Sequence, residues 1–352
     1  MTEQNSTLAN ALAQLAAPGE LFEKPGDGRV RCFACAHRCL IPDGCDGVCK
    51  VRFNRGGVLF APRGYVAGAH ADPIEKKPFF HALPGSVAMS FGMLGCDFHC
   101  AYCQNWITSQ ALRDPQSVAP VTRVTAERFA AVAAESGAAS VCSTYNEPLI
   151  SGEWAVEIFK AARALGLRTC FVSNGHATEE ALDYLQPWLD WCKVDLKTFS
   201  AENYRQLGGK LDAVLRTIEG LWRRKIWVEV VTLVVPGFND SDAELTGIAK
   251  FIAGISPDIP WHVTAFHPDY KMDDRSATSA RQLLRACDLG VAAGLHYVYA
   301  GNLPGATREW ENTRCPSCRE TLIERRGFTV LRNRVADGKC PKCAAPIAGR
   351  WS

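Results

Sequence analysis

No stretch of this 352-residue sequence reaches the roughly 18 uninterrupted apolar residues that a membrane-crossing helix needs, so no span is expected. The opening residues, MTEQNSTLANALAQLAAPGE, lack both the basic n-region and the apolar run of a secretory signal, and a cytoplasmic protein with no membrane partner is expected. An excess of either charge is also missing. Against 39 Lys and Arg stand 37 Asp and Glu, a net charge of +2, so no overall field gathers nucleic acid and such a partner is not expected. The basic runs at 223–224 and 324–326 read as solvated faces. No G-x-G-x-x-G follows the first β-rich run, which weighs against a dinucleotide-binding unit.

What the chain does have is cysteine, 16 in all. In a reducing compartment disulfides are rare, and clustered cysteines read as metal ligands or catalytic groups. Cys32, Cys35, Cys39, Cys45 and Cys49 form one cluster, in CFACAHRCLIPDGCDGVC. Cys315-x2-Cys318 and Cys340-x2-Cys343, separated by 21 residues, form another. That second spacing is a zinc-ribbon pattern, and about 40 residues need a metal or similar staple to hold together; a rubredoxin-type iron site is the rival. Cys142, Cys170, Cys192 and Cys287 stand alone and read as small hydrophobes in the core. The third cluster differs. GCDFHCAYCQNW places Cys96, Cys100 and Cys103 as C-x3-C-x2-C with no fourth cysteine near. A structural zinc site takes four ligands, whereas three leave a coordination position open for chemistry.

Between about residues 86 and 305, β-rich runs alternate with helical ones. Strands are expected at 87–91, 139–145, 168–173, 190–196, 227–234, 261–266 and 296–300. Helices are expected at 125–136, 152–165, 178–189, 213–224, 242–254 and 278–293. The strands are almost wholly apolar, as parallel strands covered by helices are, and the repeat implies a β/α barrel, incomplete at about six units. Its active site would lie at the strands' C-terminal ends. Residues just past those ends are the triplet, then Asn146 and Glu147, then Ser173, Asn174 and His176, then Asp195 and Lys197, and later His267 and Asp269. Asp195 reads equally well as a buried carboxylate paired with Lys193 or Lys197, and His262, inside a strand, as a satisfied core histidine.

The triplet spacing, Tyr102 just before its third cysteine and its place after the first strand together resemble the signature of the radical S-adenosylmethionine (SAM) superfamily. The resemblance implies a partial (β/α)6-type barrel and a [4Fe–4S] cluster held by Cys96, Cys100 and Cys103. It implies SAM chelated to the open iron and cleaved to a 5′-deoxyadenosyl radical for hydrogen abstraction, with a reductant such as flavodoxin or ferredoxin as partner. STYNEPL, FVSNGH, KVDLKTFSAENYRQLGG and VVTLVVPGFND resemble the branch of the pyruvate formate-lyase activating enzymes. CFACAHRCLIPDGCDGVCKVR, HADPIEKKPFFHALPGS, YAGNLPG and the terminal CPSC…CPKC are similar to the radical SAM enzyme of the AmmeMemoRadiSam system. By this resemblance Tyr102, Asn146, Glu147, Ser173, Asn174, Asp195, Lys197 and His267 contact SAM or its surroundings. Val172 stands where the activases carry an aspartate, which leaves a cation site beside SAM in doubt.

Cys32, Cys35, Cys39 and Cys49 fit the subgroup's N-terminal pattern, with Cys45 extra and His37 beside them; either zinc or an auxiliary [4Fe–4S] cluster suits four thiolates, with zinc slightly favoured. The expected organisation is a helical extension at 1–30, where Leu8, Leu12 and Leu15 recur near helical spacing, a Cys-rich module at 31–84, the barrel at 85–305 and the ribbon at 306–352. The expected activity is radical SAM oxidoreduction on a protein or peptide, as an activase acts. The alternatives are a small-molecule substrate shared with AmmeMemoRadiSam partner proteins, or a zinc-dependent nucleic-acid-binding or scaffold protein.

Overall fold

The computed structural model describes residues 8, 11–117 and 119–352. Seven parallel strands lie side by side in chain order: β1 (Val87–Gly92), β2 (Ser140–Ser143), β3 (Arg168–Ser173), β4 (Trp191–Asp195), β5 (Trp227–Val234), β6 (Trp261–Ala265) and β7 (Val298–Gly301). Helices Ala126–Glu135, Gly152–Ala164, Glu179–Leu185, Leu211–Arg223, Asp242–Ile255 and Ala280–Ala292 follow the first six strands in turn. Thr125, Thr178, Ser241 and Ser279 cap four of these helices, each side chain accepting from a backbone N–H in the first turn. The strands are buried nearly throughout because side chains on one face fill the barrel and those on the other meet the helices.

The barrel is incomplete. An eighth strand, Gly68–Pro73, runs antiparallel along the outer edge of β1 and pairs Gly68 with Gly92, so the sheet ends there and at β7. The expected boundary between residues 84 and 85 is therefore misplaced, since this edge strand already belongs to the barrel sheet. Its sequence, GAHADP, has exposed polar residues and no β-branched ones, which hid it from pattern reading. The segment after it turns inward. Ile74 and Phe79 pack with Cys142, Cys170, Trp191 and Trp227 to seal the barrel floor.

The 1–30 extension is not helical as expected. Leu8 and residues 11–13 are helical and the rest of 1–10 lies outside the described residues, but Ala16–Pro18, Phe22–Gly26 and Arg29–Cys32 are strands. Asp27 and Gly28, both at positive φ (55° and 77°), make a tight hairpin turn between the last two. Leu21, Val30, Cys32 and Ile41 bury together beneath it. A buried ion pair fixes this module to the barrel. Arg52 meets Glu153, at the start of helix Gly152–Ala164, through two contacts of 2.7 Å, with side chains 1% and 8% exposed. Glu153 also accepts from the backbone N–H of Glu20 and Leu21.

At the other end, Thr313–Arg314, Thr321–Arg326 and Thr329–Asn333 form a small antiparallel sheet. The four cysteines beside it bring their sulfurs within 4.8 Å of one another, with Cys315–Cys343 at 3.6 Å and Cys318–Cys340 at 3.7 Å. The basic run at 324–326 is not a solvated face throughout: Arg325 is buried, donating to the carbonyl of Phe80 and the hydroxyl of Thr313. Its neighbours on the strand point the other way, so sequence adjacency gave no hint of it.

Removing one partner of a buried charge pair strands the other, at a cost of about 3–5 kcal/mol. Glu153→Ala is accordingly expected to lose about that much stability in chemical denaturation. Arg52→Met combined with Glu153→Leu should recover most of it. A loss under about 1 kcal/mol for the single variant would refute the role given to this pair.

Candidate functional site

The loop after β1 carries the triplet, and glycines let its surroundings close on it. Gly95 has φ +90°, and a Cβ there would sit 2.8 Å from a Val51 methyl and 3.0 Å from the Cys49 carbonyl oxygen. A Cβ on Gly209 would fall 2.2 Å from the ring of Phe98. The loop is thus clamped between the N-terminal module and the turn that follows helix Ala201–Leu207. Within it the Phe98 N–H donates to Cys96 Sγ at 3.4 Å, and Cys103 Sγ lies 3.2 Å from the Ser109 hydroxyl.

Among the described residues, the triplet does not gather to the 4.8 Å spacing that the ribbon sulfurs reach. A single ion would need that spacing; sulfurs on separate irons of a cluster would not. Burial pushes all three thiols up, Cys96 well above the ordinary thiol range and Cys100 to about 12. Asp97 and Glu147 add to this at Cys96. Buried thiols in such company become thiolates only with cations bound among them, so the donor set fits a [4Fe–4S] cluster.

The triplet opens onto a cavity of about 390 Å³, within the roughly 300–1,000 Å³ of small-molecule sites. Cys96, Cys100, Cys103, Tyr102, Asn146, Glu147, Ser173, Asn174, Asp195 and Lys197 all line it, as does Val172. Of the residues singled out at the strand ends, His267 does not. It is exposed, with Nε2 3.0 Å from the Gln104 side chain, which does line the cavity. His176 is fully buried and turned away, its Nδ1 3.1 Å from Asp97. His262 bonds Glu229 at 2.7 Å, a satisfied core histidine.

Glu147 organises the corner between β2 and β3. Its carboxylate accepts from the Leu149 N–H (3.0 Å), the Ser173 hydroxyl (2.7 Å) and the Asn174 N–H (2.7 Å). Burial, with Asp97 nearby, nevertheless pushes its pKa up to about 8. Asn146 accepts from the Met93 N–H at 2.9 Å, tying the same corner back to the end of β1. Asp195 lies between two lysines, bonded to Lys193 and, at 3.3 Å, to Lys197.

Sequence reasoning missed Lys193 as a cavity residue, although it sits two positions from Asp195 and so shares its strand face. It also missed Tyr145, Lys77 and Asn302, which line the cavity from separate segments. Asp97 was missed too, and an acidic residue inside a triplet of metal-type cysteines was the available signal.

Residues 92–247 match the model of the Radical SAM superfamily. The chain is 36% identical over 331 residues to an uncharacterized protein of Methanocaldococcus jannaschii, covering 93% of this chain and 97% of that one. It is 24% identical over 200 residues to the pyruvate formate-lyase 1-activating enzyme of Escherichia coli (51% of this chain, 78% of the relative). It is 26% identical over 155 residues to the isethionate sulfite-lyase activating enzyme of Desulfovibrio desulfuricans, at 43% of this chain and only about half, 49%, of the relative's length. The domain match falls on the triplet and on β2 to β5, the segments that build the cavity, and the chain belongs to the radical SAM superfamily.

Proposed function

We propose that Cys96, Cys100 and Cys103 hold a [4Fe–4S] cluster, that SAM occupies the adjoining cavity, and that the enzyme takes a hydrogen atom from a protein or peptide, as a glycyl-radical activase does. The observation that carries this is the convergence of the triplet and the ends of β2, β3 and β4 on one cavity. The superfamily implies both cofactors; when bound they supply reductive cleavage of the SAM sulfonium and the radical that abstracts hydrogen.

The residues present suit that cargo. An ionised carboxylate offers about four lone-pair sites, and Glu147 has three donors on it. One site remains for an ammonium such as the SAM amino group, whose charge would also favour the ionised form of this elevated carboxyl. Lys193 and Lys197 flank Asp195 at the opposite wall and suit a ligand carboxylate there. Tyr102 lines the cavity, and its buried hydroxyl has no partner among the described residues. Val172 in place of an aspartate removes a hard oxygen ligand from β3, so SAM binding here proceeds without a cation at that position.

A macromolecular substrate is favoured by the relatives named as activating enzymes. It is favoured too by the hairpin of the C-terminal module, where Phe328 reaches the cavity and both Phe328 and Leu331 stay exposed. Such apolar side chains beside an opening offer a landing surface to a polypeptide. The four sulfurs of that module, gathered as around one ion, suit structural zinc.

Replacing Cys96, Cys100 and Cys103 together with alanine is expected to abolish 5′-deoxyadenosine formation while far-UV circular dichroism stays near that of the parent. Residual product above the no-enzyme level would show the ligands to be wrong. For the ribbon, Cys315→Ala should remove about one zinc per chain and lower the melting temperature, since a four-ligand site loses its geometry with one ligand gone. Unchanged zinc in metal analysis would contradict the assignment.

A further inference from the structure

We infer that Cys32, Cys35, Cys39 and Cys49 hold a second [4Fe–4S] cluster, set against the loop that carries Cys96, Cys100 and Cys103. Three cysteine groups in one chain allow an internal comparison. The ribbon sulfurs close to the spacing of donors around one ion, and the Cys96 triplet does not. The N-terminal quartet behaves like the triplet: among the described residues no three of its sulfurs lie within 4.8 Å of one another. Yet Cys32, Cys35 and Cys49 are buried and close enough to act on one another's charge. Cys39 accepts an N–H···S bond from Val48 at 3.5 Å, the kind of contact that tunes cluster thiolates. Buried, near and yet spread is the arrangement of ligands on separate irons.

One quartet sulfur also has close neighbours outside the quartet. Cys35 Sγ, an Asp97 carboxylate oxygen and a His176 ring nitrogen do meet within 4.8 Å, all three residues buried. Asp97 takes His176 Nδ1 at 3.1 Å, and among the described residues His176 Nε2 is left buried with no hydrogen-bond partner. Arg52, paired with Glu153, is also buried beside the quartet, its charge acting on Cys32 and Cys49, and its Nε has no partner among the described residues.

The two cysteine groups are neighbours. Asp97 Oδ1 lies 3.8 Å from Cys96 Sγ, so one carboxylate stands between the quartet and the triplet. Gly95, just before Cys96, rests on the Cys49 carbonyl. The comparison with the triplet and the spatial relation of the two clusters rest on the reading given above for the triplet.

The test is anaerobic reconstitution of the full chain with iron and sulfide, followed by metal analysis and EPR of the dithionite-reduced protein with and without SAM. At about four irons per cluster, the parent should bind about eight irons and one zinc. The Cys96, Cys100 and Cys103 triple alanine variant should keep about four irons and a [4Fe–4S]⁺ signal that SAM does not shift. The Cys32→Ala, Cys49→Ala variant should keep about four irons and a signal that SAM does shift. A triple variant with no cluster signal and two zincs would overturn the inference and make the quartet a zinc site. This outcome does not depend on the folding of the quartet variant. Failure of the triplet reading shows separately, as a parent spectrum that SAM leaves unchanged.

Discussion

The carboxylate of Glu229, wholly buried inside the barrel, accepts from the backbone N–H groups of Phe80 and His81, from the indole of Trp227 and from His262. A buried carboxylate without such donors would cost several kcal/mol. Two of its donors are backbone groups of the segment after the edge strand, so the barrel's interior charge can be satisfied only when that segment is folded into it. The same segment seats the C-terminal module. The Phe80 carbonyl and ring hold Arg325, His81 bonds the Tyr299 hydroxyl at 2.6 Å, and Ala82 pairs with Arg350. An incomplete barrel has an unclosed side, and here one acidic residue on β5 fixes what fills it.

The opposite end works by a different balance. Asp97 and Glu147 are both buried at the strand ends and both act against ionisation of Cys96. Each is held by donors from the β3 end: Asn174 and His176 for Asp97, Ser173 and Asn174 for Glu147. The run Ser173–His176 is therefore shared between two carboxylates that face different neighbours, one toward the cavity and one toward the N-terminal module. Negative charge concentrated this way, next to thiols, needs positive charge in the finished molecule. Lys193 and Lys197 line the same cavity and bond Asp195, and the Lys197 charge also acts on Cys100 and Cys103.

Much of this was legible in the sequence, for physical reasons that differ by element. β3 and β5 were expected with their observed bounds because long apolar runs between helices have no other home in a parallel sheet. Helices were found where Thr or Ser opens an amphipathic run, as at Thr125 and Ser279. The strand-end rule gathered Asn146, Glu147, Ser173, Asn174, Asp195 and Lys197 correctly around the triplet because the loops of a β/α barrel face one way. It failed at His267, whose ring turns outward to Gln104, at His176, which turns to Asp97, and at Asp269, which does not line the cavity. The helical reading of the first 30 residues holds at Leu8 and residues 11–13 but not from Ala16 onward, where strands form and a hairpin buries Leu21 and Val30 beside residues 40–41. The buried role of Arg325 and the partnership of Asp97 with His176 depend on residues 79 or more positions away, and local pattern carries no trace of such contacts.

The three cysteine groups show how far spacing in sequence can be taken. C-x2-C repeated at a distance specified the ribbon because two tight turns facing each other leave room for one ion, and the sulfurs meet accordingly. C-x3-C-x2-C on a single loop leaves its three sulfurs, among the described residues, outside the spacing the ribbon reaches. The N-terminal cysteines begin with the same two-residue gap as the ribbon, a spacing that suits zinc and a cluster alike. Their sulfurs are arranged otherwise because Cys32 ends a strand, Cys35 turns toward Asp97, Cys39 precedes the next strand and Cys49 lies under Gly95. Ligand spacing is set by what the backbone between the ligands is doing, and in this module the backbone is building a sheet and an interface with the barrel at the same time.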